Sequence, residues 1–458
     1  MARLLFTLWP FPTHLHPFIA LAREVRARGH EVAFYTGGRG PELLEREQFR
    51  CFPFREVDWS EVSETVGSLV AGRHRPSKVG RNWSRFLVDT VPSQVRDLQA
   101  VLAAWPADAI VCDIAMWAPI LILREAMRIP VAAFSHVAYC ILPGPDGAIP
   151  GIALPRHRSG WNALLAACVS RAAKLLTART WRKANALRRQ FGLAPLDVCI
   201  NEFTGTLPLY LVPGAPELDN ERRDLPPGVH YVGPCLWDAP TDRPAPGRLD
   251  NRPVVVVDEG GLYTHAPRLL KMAACALAGL PLNVILLAGE GRNLAELKLG
   301  PMAPNVTLQA HAPLSGFLPA ADVVVTNGNS ESVLAALVAG LPTVVLPSIW
   351  DQAEMAWRVT ETGIGARVSP WRATPARLRR AVLRVLEDPS CRERVLNMRA
   401  ALLRRGGPTR TAELIESLLH RELALVGLHY SESGGTHENR IFSRIPGAAD
   451  SRDSRANE

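Results

Sequence analysis

The sequence lacks the cysteine patterns of a metal-binding or disulfide-stapled protein. Its eight cysteines are scattered, with no Cys-x-x-Cys pair and no close cysteine–histidine cluster. Isolated cysteines are typical of free thiols in a reducing compartment rather than of zinc ligands. The sequence also has no Asp-x-Asp pair that would hold a divalent cation. We therefore expect neither a bound metal nor another cofactor.

Long hydrophobic runs are also absent. No uninterrupted apolar run is long enough to cross a bilayer. The apolar start of the chain is broken by Pro10, Pro12, His14 and His16, so a secretory signal peptide is not expected. These absences favour a cytoplasmic protein, and contact with the inner face of the membrane stays open.

The chain does have length, hydrophobic residues and positive charge. Its 458 residues exceed one ordinary core, so two domains are expected. Hydrophobic residues make up 47% and charged residues 21%, which is typical of a globular protein. The net charge of +8 favours an anionic partner, such as a nucleotide, a nucleic acid or an acidic membrane surface. Because no nucleic-acid-binding motif accompanies the charge, we do not expect a nucleic acid partner.

The beginning of the chain has the pattern of a strand, a helix and a second strand. Residues 3–9 form a short apolar run, and residues 31–37 form another. Between them apolar residues recur at helical spacing, with Pro17 suited to the first helical position and Gly29 to the helix end. Residues 109–136 repeat this strand–helix–strand pattern. Such alternation predicts an α/β domain with a parallel sheet.

A second series of strand-like runs begins at residue 253, after a segment rich in proline and aspartate. Near-continuous runs of β-branched residues predict a second parallel sheet that is buried on both faces. The predicted domains are residues 1–237, a linker at 238–252, residues 253–408, a C-terminal helix at 409–425 that packs back on the N-terminal domain, and a disordered tail at 426–458. Ligands of such sheets bind at the carboxyl ends of the strands.

One turn in the second series has the features of an anion site. A strand ends near Thr326, and the tight Asn-Gly-Asn turn 327–329 follows. A helix then starts near Ser330, and either Asn329 or Ser330 can cap it. A helix N-terminus reached through a glycine turn presents N–H groups and partial positive charge, which suit a phosphate. An ordinary strand–helix turn uses the same residues, so the pattern alone leaves both interpretations open.

The stretch 322–365 resembles the donor-binding motif of the family 1 UDP-glycosyltransferases, which have the two-Rossmann-domain GT-B fold. The residues in register with that motif are Gly328, Ser332, Ala336, Leu337, Gly340, Pro342, Pro347, Asp351 and Gln352. The similarity extends over about residues 3 to 425 and includes the segments RGHEVAFYTG, VHYVGPCLW and PNVTLQAHAPLSGFLPAAD. The resemblance is to enzymes of the bacterial natural-product type. It implies two doubly wound, Rossmann-like α/β domains facing a central cleft, with the acceptor site in the first and the nucleotide-sugar site in the second.

The resemblance assigns donor binding to Gly260, Gly261, His311, Asn327, Gly328, Asn329, Ser330, Ser332, Asp351 and Gln352. Within this set, Asp351 and Gln352 would contact sugar hydroxyls, and the turn would hold the diphosphate. Several positions depart from the family. Asn327 replaces its histidine, although an amide can still donate to phosphate. Ala335 replaces the glutamate that binds the ribose hydroxyls, and His311 replaces the tryptophan that stacks on the base.

In the first domain, the resemblance assigns the general base to His14 and the carboxylate that orients it to Asp113. His16 is the rival base, because the motif THLHP contains two histidines. Asp113 would suit a helix N-cap equally well. The acceptor-binding residues are unknown, with His16 and Trp117 as candidates.

Residues 161–190 carry seven Lys or Arg and no Asp or Glu, in an amphipathic helical pattern with Trp161 and Trp181. The pattern favours a solvated helix. The alternative is contact with an anionic membrane or with a lipid-like acceptor.

Together with the resemblance, these observations predict a metal-independent enzyme that moves a sugar from a UDP- or dTDP-sugar to a hydroxyl of a small apolar or lipid-like acceptor, with inversion. The expected partners are the nucleotide-sugar, as a co-substrate, and that hydrophobic acceptor. The altered donor motif leaves a second hypothesis, a catalytically degenerate homologue that acts as a binding or auxiliary protein.

Overall fold

The structure is a computed structural model that describes residues 1–70, 81–137, 143, 160–197, 200–219, 222, 225–237, 250–260, 267–289, 294–309, 313–348 and 351–432. Most of the predicted linker, residues 433–458 of the predicted tail, and the predicted donor residues Gly261 and His311 lie outside these ranges. Within them, no helix is both long enough and apolar enough to cross a membrane.

The N-terminal half contains a seven-stranded parallel sheet in the order β3-β2-β1-β4-β5-β6-β7. Its strands are β1 (Arg3–Thr7), β2 (Glu31–Thr36), β3 (Arg50–Pro53), β4 (Ala109–Asp113), β5 (Val131–Phe134), β6 (Leu209–Val212) and β7 (Val229–Tyr231). Its helices are α1 (Pro12–Ala27), α2 (Gly40–Arg46), α3 (Trp59–Val70), α4 (Val91–Ala104), α5 (Arg124–Ala126), α6 (Trp161–Gln190) and α7 (Ile200–Thr204). Short π-helical segments lie at Arg85–Asp89 and Pro119–Leu123, and a 3-10 turn lies at Pro216–Leu218.

The C-terminal half contains a six-stranded parallel sheet in the order β10-β9-β8-β11-β12-β13. Its strands are β8 (Val254–Asp258), β9 (Asn283–Leu287), β10 (Val306–Gln309), β11 (Val323–Thr326), β12 (Thr343–Val345) and β13 (Gly365–Arg367). The helices that follow residue 253 are α8 (Arg268–Leu277), α9 (Ser330–Val338), α10 (Gln352–Glu361), α11 (Pro375–Glu387), α12 (Pro389–Leu403) and α13 (Gly407–Glu432). Short 3-10 turns lie at Leu294–Leu297, Leu314–Gly316 and Leu318–Ala320.

Both sheets confirm the predicted α/β class, and their composition explains why. The central strands β8 and β11 consist almost entirely of valine, and Val255, Val256 and Val257 are fully buried. A strand covered on both faces has no polar side, so its sequence is a continuous apolar run rather than an alternation.

The first helix begins earlier than the sequence predicted. Pro17 lies inside α1, which starts at Pro12. Pro12 already occupies the first turn, where its fixed φ suits a helix and its missing N–H is not needed. The amide of His14 bonds to the carbonyl of Phe11 at 3.0 Å, so His14 lies in the first helical turn and not in a loop. At the other end, Gly29 has a φ of +89°, as expected of a helix-ending glycine.

The last described helix, α13, returns to the N-terminal half. Five of its apolar residues share a buried cluster with Phe6 of β1 and Phe18 of α1, and they are Ala412, Leu414, Ile415, Leu418 and Leu419. Nearby, Nε and Nη2 of Arg28 each donate to a carboxylate oxygen of Glu416 at 2.8 Å. The helix continues to Glu432, past the predicted boundary at residue 425.

A buried charged cluster joins the two halves. Arg358 of α10 lies 3.0 Å from Oδ1 of Asp219, which follows the 3-10 turn of the N-terminal half, and 2.8 Å from Glu354. Tyr231 donates its hydroxyl to the other oxygen of Asp219. Because a buried charge without a partner is costly, this cluster constrains how the halves meet.

Candidate active site

The first turn of α1 and the carboxyl ends of β4 and β5 bring three ionisable side chains together. Nδ1 of His14 lies 2.5 Å from Oδ2 of Asp113, and Nδ1 of His136 lies 2.8 Å from Oδ1 of the same carboxylate. The two imidazole rings stack, with centroids 3.4 Å apart. Because β1, β4 and β5 are neighbours, the segments that leave their carboxyl ends meet at one edge of the sheet. The structure thus brings His14 and Asp113 into contact, in what we call the His–Asp–His cluster (His14, Asp113 and His136).

Sequence analysis does not identify His136. In the register of the sheet Phe134 lies beside Asp113, so the residues that follow β5 reach the edge at which Asp113 ends its own strand. The available signal is a histidine just after the apolar run 131–134, at the edge where ligands bind. That signal becomes useful only once β5 is known to be the neighbour of β4.

Burial sets the protonation of the His–Asp–His cluster. Burial first, and then the charge of His136, lower the pKa of His14 from its ordinary 6.5 to about 4, against the opposing effect of Asp113. For Asp113, burial acts to raise the pKa, but the two imidazoles, His136 ahead of His14, hold it well below its ordinary range. At neutral pH, Asp113 is ionised and His14 is uncharged. Since a carboxylate only accepts, His14 donates from Nδ1 and keeps a lone pair on Nε2, which is the form that a general base needs.

The same three residues also have the spacing of metal ligands, since their ligand atoms lie within 4.8 Å of one another. Both oxygens of Asp113, however, already accept hydrogen bonds from the imidazole Nδ1 atoms. A metal bound through those atoms would displace both hydrogen bonds and require both Nδ1 atoms to lose their protons. The arrangement therefore fits a hydrogen-bonded base better than a metal centre.

The rival histidine faces a different partner. Nδ1 of His16 lies 2.7 Å from Oε1 of Glu331, in the first turn of α9 in the other half. His16 is therefore not beside Asp113, and its contact shows that α9 begins at the crevice between the halves. Trp117, the other acceptor candidate, is 5% exposed and packs in the hydrophobic core, so it offers little surface to a ligand.

The turn before α9 is held by its own side chains. Asn329 caps the helix, because its Oδ1 accepts from the amide of Ser332 at 2.9 Å. The amide and Nδ2 of Asn329 both donate to Oδ1 of Asn327, at 3.1 and 3.0 Å. Asn327 in turn donates from Nδ2 to the carbonyl of Glu259, since β11 lies directly beside β8. A phosphate that took this amide would displace the bond to Glu259.

Ser332 ties α9 to the neighbouring strand. Its hydroxyl donates to Oδ2 of Asp258, the last residue of β8, while Oδ1 accepts from the amide of Gly260 at 3.1 Å. Burial raises the pKa of Asp258 despite these hydrogen bonds. Through Asp258, Ser332 and Gly260 link the start of α9 to the end of β8. The side chains of Asn327 and Asn329 accept hydrogen bonds from the amides of Asn329 and Ser332, but not from the amides of Ser330 and Glu331 in the first turn of α9.

Two glycines allow close packing around the turn before α9. Gly328 has a φ of +91°, and a Cβ there would lie 2.6 Å from Cγ1 of Val345. Gly260 has a φ of +76°, and a Cβ there would lie 2.5 Å from Nδ2 of Asn329. Any other residue would strain the backbone and push the side chains of the turn apart.

Asp351 and Gln352 lie at the start of α10. Oε1 of Gln352 accepts from the amide and the hydroxyl of Ser348, at 2.9 and 2.8 Å. Burial raises the pKa of Asp351 to about 6, while the charge of His136 acts to lower it. The electrostatic effect of the His–Asp–His cluster therefore extends to Asp351 of the other half.

Comparison with known proteins finds sequence relatives over nearly the whole chain. Residues 280–418 match the family described as erythromycin biosynthesis protein CIII-like, C-terminal domain. The chain is 31% identical over 426 residues to 4'-demethylrebeccamycin synthase of Lentzea aerocolonigenes, and the match covers 91% of this chain and all of that protein.

Solved structures agree with the fold described above. The glycotransferase of kitacinnamycin has a TM-score of 0.71 at 23% identity, covering 91% of this chain and 98% of that one. SsfS6 of Streptomyces sp. SF2575, complexed with thymidine diphosphate, has a TM-score of 0.63 at 18% identity, covering 91% and 100%. At these identities the likeness concerns the fold, and it confirms the predicted GT-B architecture.

Proposed function

Because this chain belongs to the family 1 glycosyltransferases of the natural-product type, we propose that it transfers a sugar from a UDP- or dTDP-sugar to a hydroxyl of a small apolar acceptor, with inversion. The observation that carries the proposal is the 2.5 Å contact between His14 and Asp113, near the crevice at which α9 begins. A neutral imidazole on one side and a helix N-terminus on the other suit an acceptor hydroxyl and a leaving diphosphate.

The reaction follows from the chemistry of these groups. Nε2 of His14 takes the proton of the acceptor hydroxyl, and the acceptor oxygen attacks the anomeric carbon. The bond from that carbon to the diphosphate oxygen breaks, and the diphosphate leaves with the electron pair. Attack from the opposite face in one displacement inverts the carbon. Asp113 stabilises the imidazolium that forms on His14.

We propose that this step uses no metal. The charge that develops on the diphosphate would meet the first-turn amides of Ser330 and Glu331, at the positive end of α9. The carboxylate of Glu331 would oppose an anion there, but its contact with His16 at 2.7 Å offsets part of its charge.

For the nucleotide, we favour a thymidine over a uridine diphosphate. Ala335 of α9 stands where the family has the glutamate that binds the ribose hydroxyls, and its methyl group accepts no hydrogen bond. A deoxyribose lacks the 2′-hydroxyl and loses less from that replacement. The thymidine diphosphate bound to the structurally similar SsfS6 is consistent with this choice.

The test is a transfer assay with purified protein, UDP-glucose or dTDP-glucose, and a panel of apolar phenols, with products detected by mass spectrometry. Product of the anomeric configuration opposite to that of the donor, determined by NMR, would support inverting transfer. Tight binding of both nucleotides without any product would contradict it. The alternative of a non-catalytic binding protein gains no support from the relatives, since a relative that matches over 91% of this chain is named as a synthase.

A membrane contact at the start of α6 is a further part of the proposal. Trp161 is 81% exposed and Leu164 is 52% exposed, on a helix with seven basic residues and no acidic one. Such a surface suits an anionic bilayer on the cytoplasmic side. Sedimentation with phosphatidylglycerol vesicles, but not with phosphatidylcholine vesicles, would support this, and equal binding of Trp161→Ala would contradict it.

A further inference from the structure

The mechanism above uses two members of the His–Asp–His cluster and leaves the third without a role. His136 lies 2.8 Å from Asp113, and its ring stacks on that of His14 with centroids 3.4 Å apart. Only 6% of its side chain is exposed. A polar side chain held this closely against a base has either a structural role or an effect on the base.

We propose that His136 is a positioning residue that fixes the carboxylate of Asp113, so that His14 keeps its proton on Nδ1 and leaves Nε2 free to accept a proton. This inference deepens the proposed function and rests on it, because it concerns the same general base.

The first part of the argument is geometric. Oδ1 of Asp113 accepts from His136 at 2.8 Å and from the amide of Ala115 at 2.9 Å, while Oδ2 faces His14 at 2.5 Å. Two donors on Oδ1 hold the carboxylate plane in place. Oδ2 is then aimed at Nδ1 of His14, which orients the ring and leaves its Nε2 as the acceptor atom. Without His136, Asp113 would retain one donor on that oxygen and could rotate.

The second part concerns charge. One carboxylate balances one imidazolium, and a second would place two positive rings 3.4 Å apart. His136 lies against the carboxylate of Asp113, and its charge also acts to lower the pKa of Asp351 at the start of α10. The thiol of Cys112, beside Asp113, stays neutral because burial raises its pKa. Because the rings are this close, the charge of His136 acts to lower the pKa of His14 and so opposes its protonation.

The decisive measurement is NMR titration of the full-length protein labelled with 15N-histidine, which needs no knowledge of the acceptor. His136→Gln keeps an N–H donor for Asp113 but cannot carry charge, and His136→Phe keeps the stacked ring but offers neither. His30→Gln is the matched control, because His30 also pairs with a carboxylate, Glu416, at 3.1 Å, away from the cluster. Circular dichroism would verify that each variant is folded.

In the unaltered protein, His14 should keep a protonated Nδ1 and a free Nε2 at neutral pH. Both His136 variants should shift the titration of His14 upward by about one pH unit or more, the size of effect that a neighbouring charge produces. His30→Gln should shift nothing. A His14 titration that is the same in both His136 variants as in the unaltered protein would overturn the inference.

Transfer assays separate this inference from the proposed function. If the phenol assay shows transfer, both His136 variants should move the acid limb of kcat/KM upward, and His136→Gln should retain more activity at neutral pH than His136→Phe. Transfer whose pH profile is identical in all variants would overturn the role of His136 while leaving the proposed function intact. If no transfer occurs, the NMR titration still decides where the proton resides.

Discussion

Arg358 and Asp219 meet 3.0 Å apart in the interior, one from each half of the chain, with side chains only 2% and 1% exposed. The two halves thus share a buried charge pair to which each half contributes one side chain. Glu354 and Tyr231 complete its hydrogen bonds from either side.

Removal of this pair should destabilise the whole protein. Asp219→Ala removes an acidic partner of Arg358 from the interior, so we expect a loss of about 3 kcal/mol in the free energy of unfolding. Urea denaturation would measure the loss. Glu31→Gln is the control, because the pair of Glu31 with Arg3 is exposed and should contribute less than about 1 kcal/mol. Equal losses in the two variants would show that the buried pair does not stabilise the interface.

The general base should be sensitive to truncation. His14→Ala removes the proton acceptor and should reduce kcat by about 10²–10⁴-fold, while the affinity for dTDP measured by calorimetry stays the same. His16→Ala should keep most of the activity, because His16 contacts Glu331 and not Asp113. Loss of transfer in His16→Ala but not in His14→Ala would reverse the assignment.

Donor binding should depend on pH through Asp351. Its pKa is raised to about 6, so the side chain is ionised above that pH and protonated below it. A protonated carboxyl is a weaker acceptor for sugar hydroxyls, and the KM for the donor should therefore rise as the pH falls through 6. Because the pKa of His14 is about 4, kcat should fall only at lower pH. Asp351→Asn should make the donor KM independent of pH over this range; a pH-dependent KM in that variant would assign the effect to another group.

The turn before α9 should not tolerate a side chain at Gly328. Gly328→Ala would place a methyl group 2.6 Å from Cγ1 of Val345 and would cost about 1–2 kcal/mol from its positive φ. We expect lower thermal stability together with weaker dTDP binding. Gly67→Ala in α3 is the control, because nothing lies within 4 Å of its added Cβ. Its dTDP binding should stay unchanged, and its thermal stability should not fall, since alanine favours a helix over glycine. Normal dTDP affinity in Gly328→Ala would indicate that this turn does not bind the nucleotide.

Chelation should have no effect on transfer. The proposed mechanism balances the diphosphate charge with helix amides, so activity after dialysis against EDTA should equal that of the untreated protein. Restoration of lost activity by one added divalent cation would contradict this expectation and direct attention to the His–Asp–His cluster.

The sequence predicts those features that neighbouring residues decide. The valine runs of β8 and β11 are strands, and Asn329 caps α9, because strand composition and capping are local properties. The helix starting at Pro12 instead of Pro17 is a local error, since both prolines suit a first turn.

Such local patterns cannot predict contacts between strands that are distant in sequence. Asn327 bonds to Glu259, 68 residues earlier, only because β11 and β8 are adjacent. His136 reaches Asp113 only because β5 and β4 are adjacent. Resemblance to a family supplied His14 and Asp113, but it could not supply a partner that the family pattern does not contain.

The return of α13 to the N-terminal half affects how the protein matures. A ribosome delivers β1 and α1 first and α13 after everything else that the structure describes. Until then, the apolar residues of α13 are not available to pack against α1 around Phe18. The nascent N-terminal half therefore exposes an apolar, aggregation-prone surface during most of translation. Loss of the last helix through a late stop codon would therefore damage the half that was synthesised first.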